Sequence, residues 1–119
     1  MPFLCIDLKS FYASVECALR GLDPFTTNLV VADKERGGGS IVLAATPCIK
    51  AHGAKSRCRI YELPKNVYPI YAKPRMNKYI EYSAMVYKIY LRFVSKEDIH
   101  VYSIDEAFLD LTSYLKYYN

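Results

Sequence analysis

Two acid-bearing stretches lie near opposite ends of the 119-residue chain. "PFLCIDL" carries Asp7 at the close of an apolar run, and "VYSIDEAFLDL" sets Asp105 and Glu106 inside another. Neighbouring acids in an apolar run repel each other and are costly to desolvate. If the two runs are adjacent strands, the three carboxylates meet at one end of a sheet. A divalent cation would neutralise them. Mg²⁺, with water and substrate phosphates completing its shell, is the natural choice. Two such ions activate an attacking oxygen and stabilise a leaving one, the geometry of phosphoryl and nucleotidyl transfer. Taken by itself, the Asp-Glu pair is more often a solvated turn, because loops commonly carry acids. Spacing alone therefore does not decide for chemistry.

The elements that would position these acids are legible in outline. "PFLCIDL" reads as a buried strand ending at Asp7, and Ser10 can cap the helix after it. In "FYASVECALR", Phe11, Val15, Ala18 and Leu19 recur at helical spacing, with Glu16 and Arg20 off that face; Gly21 and Pro24 end it. "TNLVVAD" and "SIVLAAT" are strand-like and flank "DKERGGGS". The three glycines there suit a flexible, hairpin-like connection. No Gly-Lys-Ser/Thr comes after them, so a phosphate-cradling P-loop is excluded. "PCIKAHGAK" predicts a helix of about two turns, from Pro47 to a C-cap at Gly53. "SRCRIYELP" and "NVYPIYA", punctuated by Pro64, Pro69 and Pro74, predict irregular or edge-like segments. From Arg75 to Val94 a long helix is expected, with Met76, Ile80, Tyr87, Leu91 and Val94 on one face. "DIHVYSI" and "AFLDLT" then form a hairpin with Asp105-Glu106 at its solvated tip. The order is β-α-β-β-α, long helix, hairpin: an α+β layout with helices against a mostly antiparallel sheet. Pairing of the first strand beside the hairpin would bring Asp7 to the acidic tip.

Composition sets the outer limits. The length suits one domain at most, and 52% hydrophobic residues are ample for a core. A net charge of +4 permits a polyanionic partner without demanding one. No apolar run approaches the ~20 residues of a membrane span, and "MPFLCIDL" lacks the features of a signal peptide, so a cytosolic chain is expected. Cys5, Cys17, Cys48 and Cys58 form no CxxC pair, and only His52 and His100 could assist them, which excludes zinc. Small buried thiols are expected instead, Cys5 above all. Most of the twelve tyrosines, concentrated from Tyr61 to Tyr118, suit a core edge with the hydroxyl in water, although such rings also stack on bases.

"CIDLKSFYASVE" and "YSIDEAFLDLT" together resemble the opening and second acidic motifs of the Y-family translesion DNA polymerases, the DinB/UmuC type (ImpB/MucB/SamB). "SIVLAATPCIKAHGAK" resembles that family's fingers. The likeness runs over essentially the whole chain. It implies a partial ferredoxin-like palm sheet with an inserted small α/β fingers domain: palm at residues 1–10 and 75–119, fingers at 11–74. It implies error-prone, DNA-templated nucleotidyl transfer in DNA repair and SOS damage tolerance, with two Mg²⁺ ions and an incoming dNTP. Asp7 and Asp105 would bridge the ions, Glu106 would complete the catalytic-metal site, and the Leu8 carbonyl would reach the nucleotide-bound ion. The backbone amides of Lys9, Ser10, Phe11 and Tyr12 would meet the phosphates at a helix start. Tyr12 matches the steric gate that crowds a ribose 2′-OH.

In the fingers, Thr46 and Lys50 match positions that contact the triphosphate. Two departures bear on that clamp. Pro47 stands where many members carry a tyrosine or another polar residue. Lys50 replaces an arginine, giving a point charge in place of a fork. Lys55, Arg57, Arg59, Lys73 and Arg75 would add a positive field. The resemblance further implies a longer parent, with primer-template DNA as partner and a sliding clamp met through later segments. A fragment of this length would be inactive alone. Two other classes remain: a nucleotide cyclase built on a similar sheet, and a non-catalytic nucleic-acid- or protein-binding module.

Overall fold

In the computed structural model, residues 2–55 and 57–114 are described; Tyr118, one of the tyrosines expected at a core edge, lies outside them. The chain divides into two compact units, residues 1–9 with 77–119, and residues 10–76.

The first unit is built around an antiparallel sheet of β1 (Phe3–Asp7), β6 (Glu106–Asp110) and β5 (Ile99–Ser103), in the order β1-β6-β5. The central strand alternates as a half-buried strand must: Ala107 and Leu109 are buried, and Glu106, Phe108 and Asp110 are partly exposed. Val94, Ile99 and Leu109 form the core, with Ile6 and, from helix α3 (Met76–Tyr90), Tyr87 and Tyr90 packed against it.

Several expectations for this unit are corrected. β1 is not a buried strand, and Cys5 is exposed. It is an edge strand, so its apolar residues have a neighbour on one side only. α3 stops at Tyr90, and Met76, Ile80 and Leu91 of the expected inner face are exposed. The hairpin turn falls one residue early. Ser103 pairs with Glu106, so the loop is Ile104-Asp105 and Glu106 opens β6. The ladder also shifts between Val101 and Ser103, which leaves Tyr102 as the extra residue of a bulge.

The second unit holds α1 (Phe11–Leu19) and a sheet of order β3-β2-β4, with β2 (Leu29–Val31), β3 (Ala44–Ala45) and β4 (Ile70–Ala72). β2 and β3 run antiparallel, as the hairpin-like connection suggests. β4 joins β2 in parallel, a pairing the proline-rich sequence concealed. The segment Lys34–Arg36, just ahead of the three glycines, forms a short 3-10 turn capped by the Asp33 side chain. A second helix, α2 (Pro47–Lys50), is a single turn, shorter than expected; Gly53 beyond it adopts φ 103°, a left-handed conformation that suits glycine. Val30, Val42, Ala45, Ile49, Cys58 and Leu63 belong to the unit's core.

Glu16, placed off the inner face of α1 by its spacing, is fully buried, while Ala18 and Leu19 are exposed. Its carboxylate accepts from Arg75 Nε at 3.1 Å and Nη2, and from Arg20 one turn along. Two guanidinium groups make a buried carboxylate tolerable. Arg75 is far away in sequence, so helical periodicity could not reveal the arrangement.

Candidate active site

The antiparallel ladder between β1 and β6 runs from Phe3 opposite Asp110 to Asp7 opposite Glu106. Directly opposed residues project from the same face, with Cβ atoms ~4.5–5.5 Å apart. Asp7 and Glu106 are therefore brought side by side at one end of the sheet. Asp7 is exposed; Asp105 and Glu106 are half-buried.

Asp105 sits in the turn next to Glu106 and is tied down on two sides. Its carbonyl accepts from the Leu8 amide at 2.9 Å, which joins the turn to the end of β1. Its carboxylate Oδ1 accepts from Ser103 Oγ at 3.0 Å. The Ser83 hydroxyl of α3 donates to the carbonyl of Ile104, the other turn residue, at 2.6 Å. A cavity of about 20 Å³ lies among Leu8, Ser83, Tyr90, Ser103 and Asp105. Burial pushes the Tyr90 phenol above its ordinary pKa.

Among the described residues no three His, Cys, Asp or Glu side chains are gathered as a ready-made metal site. The structure brings Asp7 and Glu106 into register and leaves the Asp105 carboxylate with Ser103. Mg²⁺ needs only one or two protein carboxylates when water and phosphates complete its octahedron. A cross-strand pair of hard oxygen donors fits that requirement.

The other residues singled out in the sequence are more scattered. Lys9 is exposed. Ser10 occupies the N-cap position of α1, but with φ 55° and no side-chain cap hydrogen bond, so it does not cap as expected. Its carbonyl accepts from the Ser14 amide at 2.9 Å. The Phe11 ring is buried, which leaves only its backbone for a ligand. Tyr12 is half-buried, its ring 6.1 Å from that of Phe11. Lys50 is half-buried in α2.

Thr46 is fully buried. Its hydroxyl donates to the Thr27 carbonyl at 2.7 Å and accepts from the amides of Leu29 at 3.2 Å and Ile49 at 3.4 Å. It caps α2 and ties that helix to the start of β2. This geometry turns its side chain away from any outside ligand.

The basic residues expected to supply a diffuse field are partly committed. Arg75 holds Glu16, Lys73 pairs with Glu35 at 3.7 Å, and Arg59 donates to the Gly39 carbonyl. Sequence reasoning missed a cleft of about 570 Å³ in this unit. Ile41 and Leu43 line it together with Arg36, Arg59, Lys73 and Asp33. Its parts come from four separate segments, so no local motif announces it.

Residues 6–119 match the impB/mucB/samB family. The chain is 43% identical over 108 residues to the "Putative UV-damage repair protein UvrX" of Bacillus subtilis, covering 90% of this chain and 26% of that protein. It is 41% identical to the "DNA repair protein homolog YozK" of the same organism, covering 86% of this chain and 90% of that one. Its fold superposes on an insertion ternary complex of Dbh DNA polymerase with a TM-score of 0.81 at 26% identity, over 98% of this chain and 34% of that one. The chain thus spans about a quarter of UvrX, a third of Dbh and most of YozK.

Proposed function

This chain belongs to the impB/mucB/samB family, and from that membership we propose that it forms the N-terminal catalytic portion of an error-prone lesion-bypass DNA polymerase. The observation that carries this reading is the register that opposes Asp7 and Glu106, with Asp105 in the adjoining turn. Residues 1–10 and 75–119 act as palm and residues 11–74 as fingers. The reaction is template-directed attack of a primer 3′-OH on the α-phosphate of a dNTP, with loss of pyrophosphate. Bound Mg²⁺, two ions with the incoming dNTP, would supply charge neutralisation at the attacking and leaving oxygens.

The chain's own residues do the rest. Asp7 and Glu106 would hold metal, and Asp105, whose carboxylate accepts from Ser103, would be a third ligand. The Leu8 carbonyl would serve the nucleotide-bound ion. The amides of Lys9, Ser10, Phe11 and Tyr12 favour phosphate, and the absence of a side-chain cap at Ser10 supports that role. Tyr12 excludes the ribose 2′-OH. Lys50 offers the triphosphate a point charge. Thr46 serves the clamp indirectly, by seating α2. The cleft floored by Ile41 and Leu43 and edged by cations suits a base with its phosphate. Primer-template DNA and dNTP are the partners, with a sliding clamp engaged by segments present in longer relatives. The setting is the cytoplasm, in SOS damage tolerance.

A chimera tests this reading, with this chain replacing the matched portion of Dbh. It should extend a primer with Mg²⁺, lose extension with Asp105→Asn or Glu106→Gln, and accept ribonucleotides with Tyr12→Ala. Extension at full rate by the Asp105→Asn chimera would sink the metal assignment. The length of YozK favours a second reading for the chain alone, a non-catalytic binding module. Titration of the isolated chain with Mg²⁺ and dATP separates the two, because a module without a nucleotide site leaves the Asp7 and Asp105 amide signals unmoved.

A further inference from the structure

We propose that Ser83 is a positioning residue for the acidic turn, holding Asp105 and Glu106 against Asp7 for a divalent cation. The inference rests on the reading of these carboxylates as a metal site.

A serine inside a helix is not there for propensity, since its hydroxyl competes for backbone groups. Ser83 lies well within α3, and its hydroxyl reaches out of the helix to the Ile104 carbonyl at 2.6 Å. The turn it meets has two features that leave its place undecided by the ladder alone. Only Ile104 and Asp105 form the loop, and the strand leading into it carries the bulge at Tyr102. A bulge interrupts the ladder and re-aims the residues beyond it. The turn is also not wedged from below. The cavity of about 20 Å³ beside Ser83 and Asp105 is large enough for one water molecule. Hydrogen bonds are therefore needed beside packing to set the position of the turn.

Three of those bonds act on different atoms. The Leu8 amide fixes the Asp105 carbonyl from β1, and Ser103 fixes the Asp105 carboxylate from within the hairpin. Ser83 ties the turn to α3. The ladder places Glu106 opposite Asp7, but Asp105 lies in the loop, so its carboxylate can join that pair only if the turn stays in place. Partners that orient metal ligands without touching the metal typically change affinity ~10–100-fold when removed.

Mn²⁺ is a suitable probe because it broadens nearby amide signals in NMR spectra of the 119-residue chain. In the unmodified chain Mn²⁺ should broaden Asp7, Leu8, Asp105 and Glu106. Ser83→Ala should raise the midpoint of that titration about 10-fold, while signals of the β2 and β3 core stay sharp. Ser83→Thr should keep the original midpoint. Ser83→Val, matched to Thr in size but lacking the hydroxyl, should behave as Ser83→Ala does. That pair isolates the hydroxyl even if the alanine variant unfolds. A serine with a structural role alone would shift the urea midpoint and leave the Mn²⁺ midpoint where it was. Equal midpoints for Ser83→Thr and Ser83→Val overturn the inference while sparing the metal site. No broadening in the unmodified chain overturns the metal reading, and the inference with it.

Discussion

In the unit of residues 10–76, β2 is buried at every position, whereas β1 of the other unit, apolar up to Asp7, is exposed at all but Ile6. β2 lies between two strands, and β1 lies at a sheet edge. The same contrast holds for charge. Glu16 is fully buried and satisfied by two arginines, while the acids at the end of β1 and β6 stay open to solvent. The difference teaches that burial follows from what flanks an element, not from how apolar or charged its own sequence is.

Paired leucine truncations would break that contrast most directly. Leu29→Ala, in the fully buried strand, should cost about 3 kcal/mol by urea unfolding, and Leu4→Ala, in the exposed strand, less than about 1 kcal/mol. Equal costs would show β1 to be as well packed as β2. Arg75→Met should come next, at roughly 2 kcal/mol. That is below the range for fully buried pairs because the arginine is 41% exposed and Arg20 remains. A neutral result would make the Glu16 cluster a surface feature in energetic terms.

Thiol labelling sharpens the comparison without stability measurements. Burial pushes the Cys17 and Cys58 thiols above their ordinary pKa, and both are sterically covered. At pH 8 iodoacetamide should alkylate exposed Cys5 much faster than either, with the difference vanishing in urea. Mass spectrometry of the time course checks the order. The smallest effect concerns Asp110. The side-chain hydrogen bond from Thr112, supported by its backbone amide, holds this carboxyl below its ordinary pKa. A lowered folded pKa stabilises the fold above the ordinary carboxylate value. That contribution is lost as pH falls through the depressed value. Thr112→Val should move the Asp110 titration upward in an NMR pH series; an unmoved titration would remove the hydroxyl as its cause.

The local periodicities of "FYASVECALR" and "AFLDLT" were enough to find α1 and the last strand, and the apolar run before Asp7 was enough to find β1. Motif wording singles out the acids as a candidate site, where spacing alone does not separate them from a solvated turn. What stayed hidden depends on distant partners. Arg75 reaches Glu16 from the far end of the second unit, and β4 declares itself only by lying parallel to β2. Thr46 reads as a polar residue before a helix, yet Thr27 draws its hydroxyl inward. Cys5 looked buried because its run is apolar, but burial depends on how many strands flank that run. Ser83 carries no local signal, since its partner is a backbone carbonyl on another element.

The pairing of β1 with β6 joins Phe3–Asp7 to Glu106–Asp110, far apart in sequence. Synthesis on the ribosome therefore treats the two units differently. Residues 10–76 are continuous and can begin forming their core as soon as they emerge. "FLCID" must wait, unpaired, until Glu106–Asp110 has been made. Non-local pairings of this kind close slowly, because a long loop must be ordered before any contact repays it. The register that opposes Asp7 and Glu106 therefore closes only once β6 has emerged, and a chain stopped short of β6 has no such pair of acids.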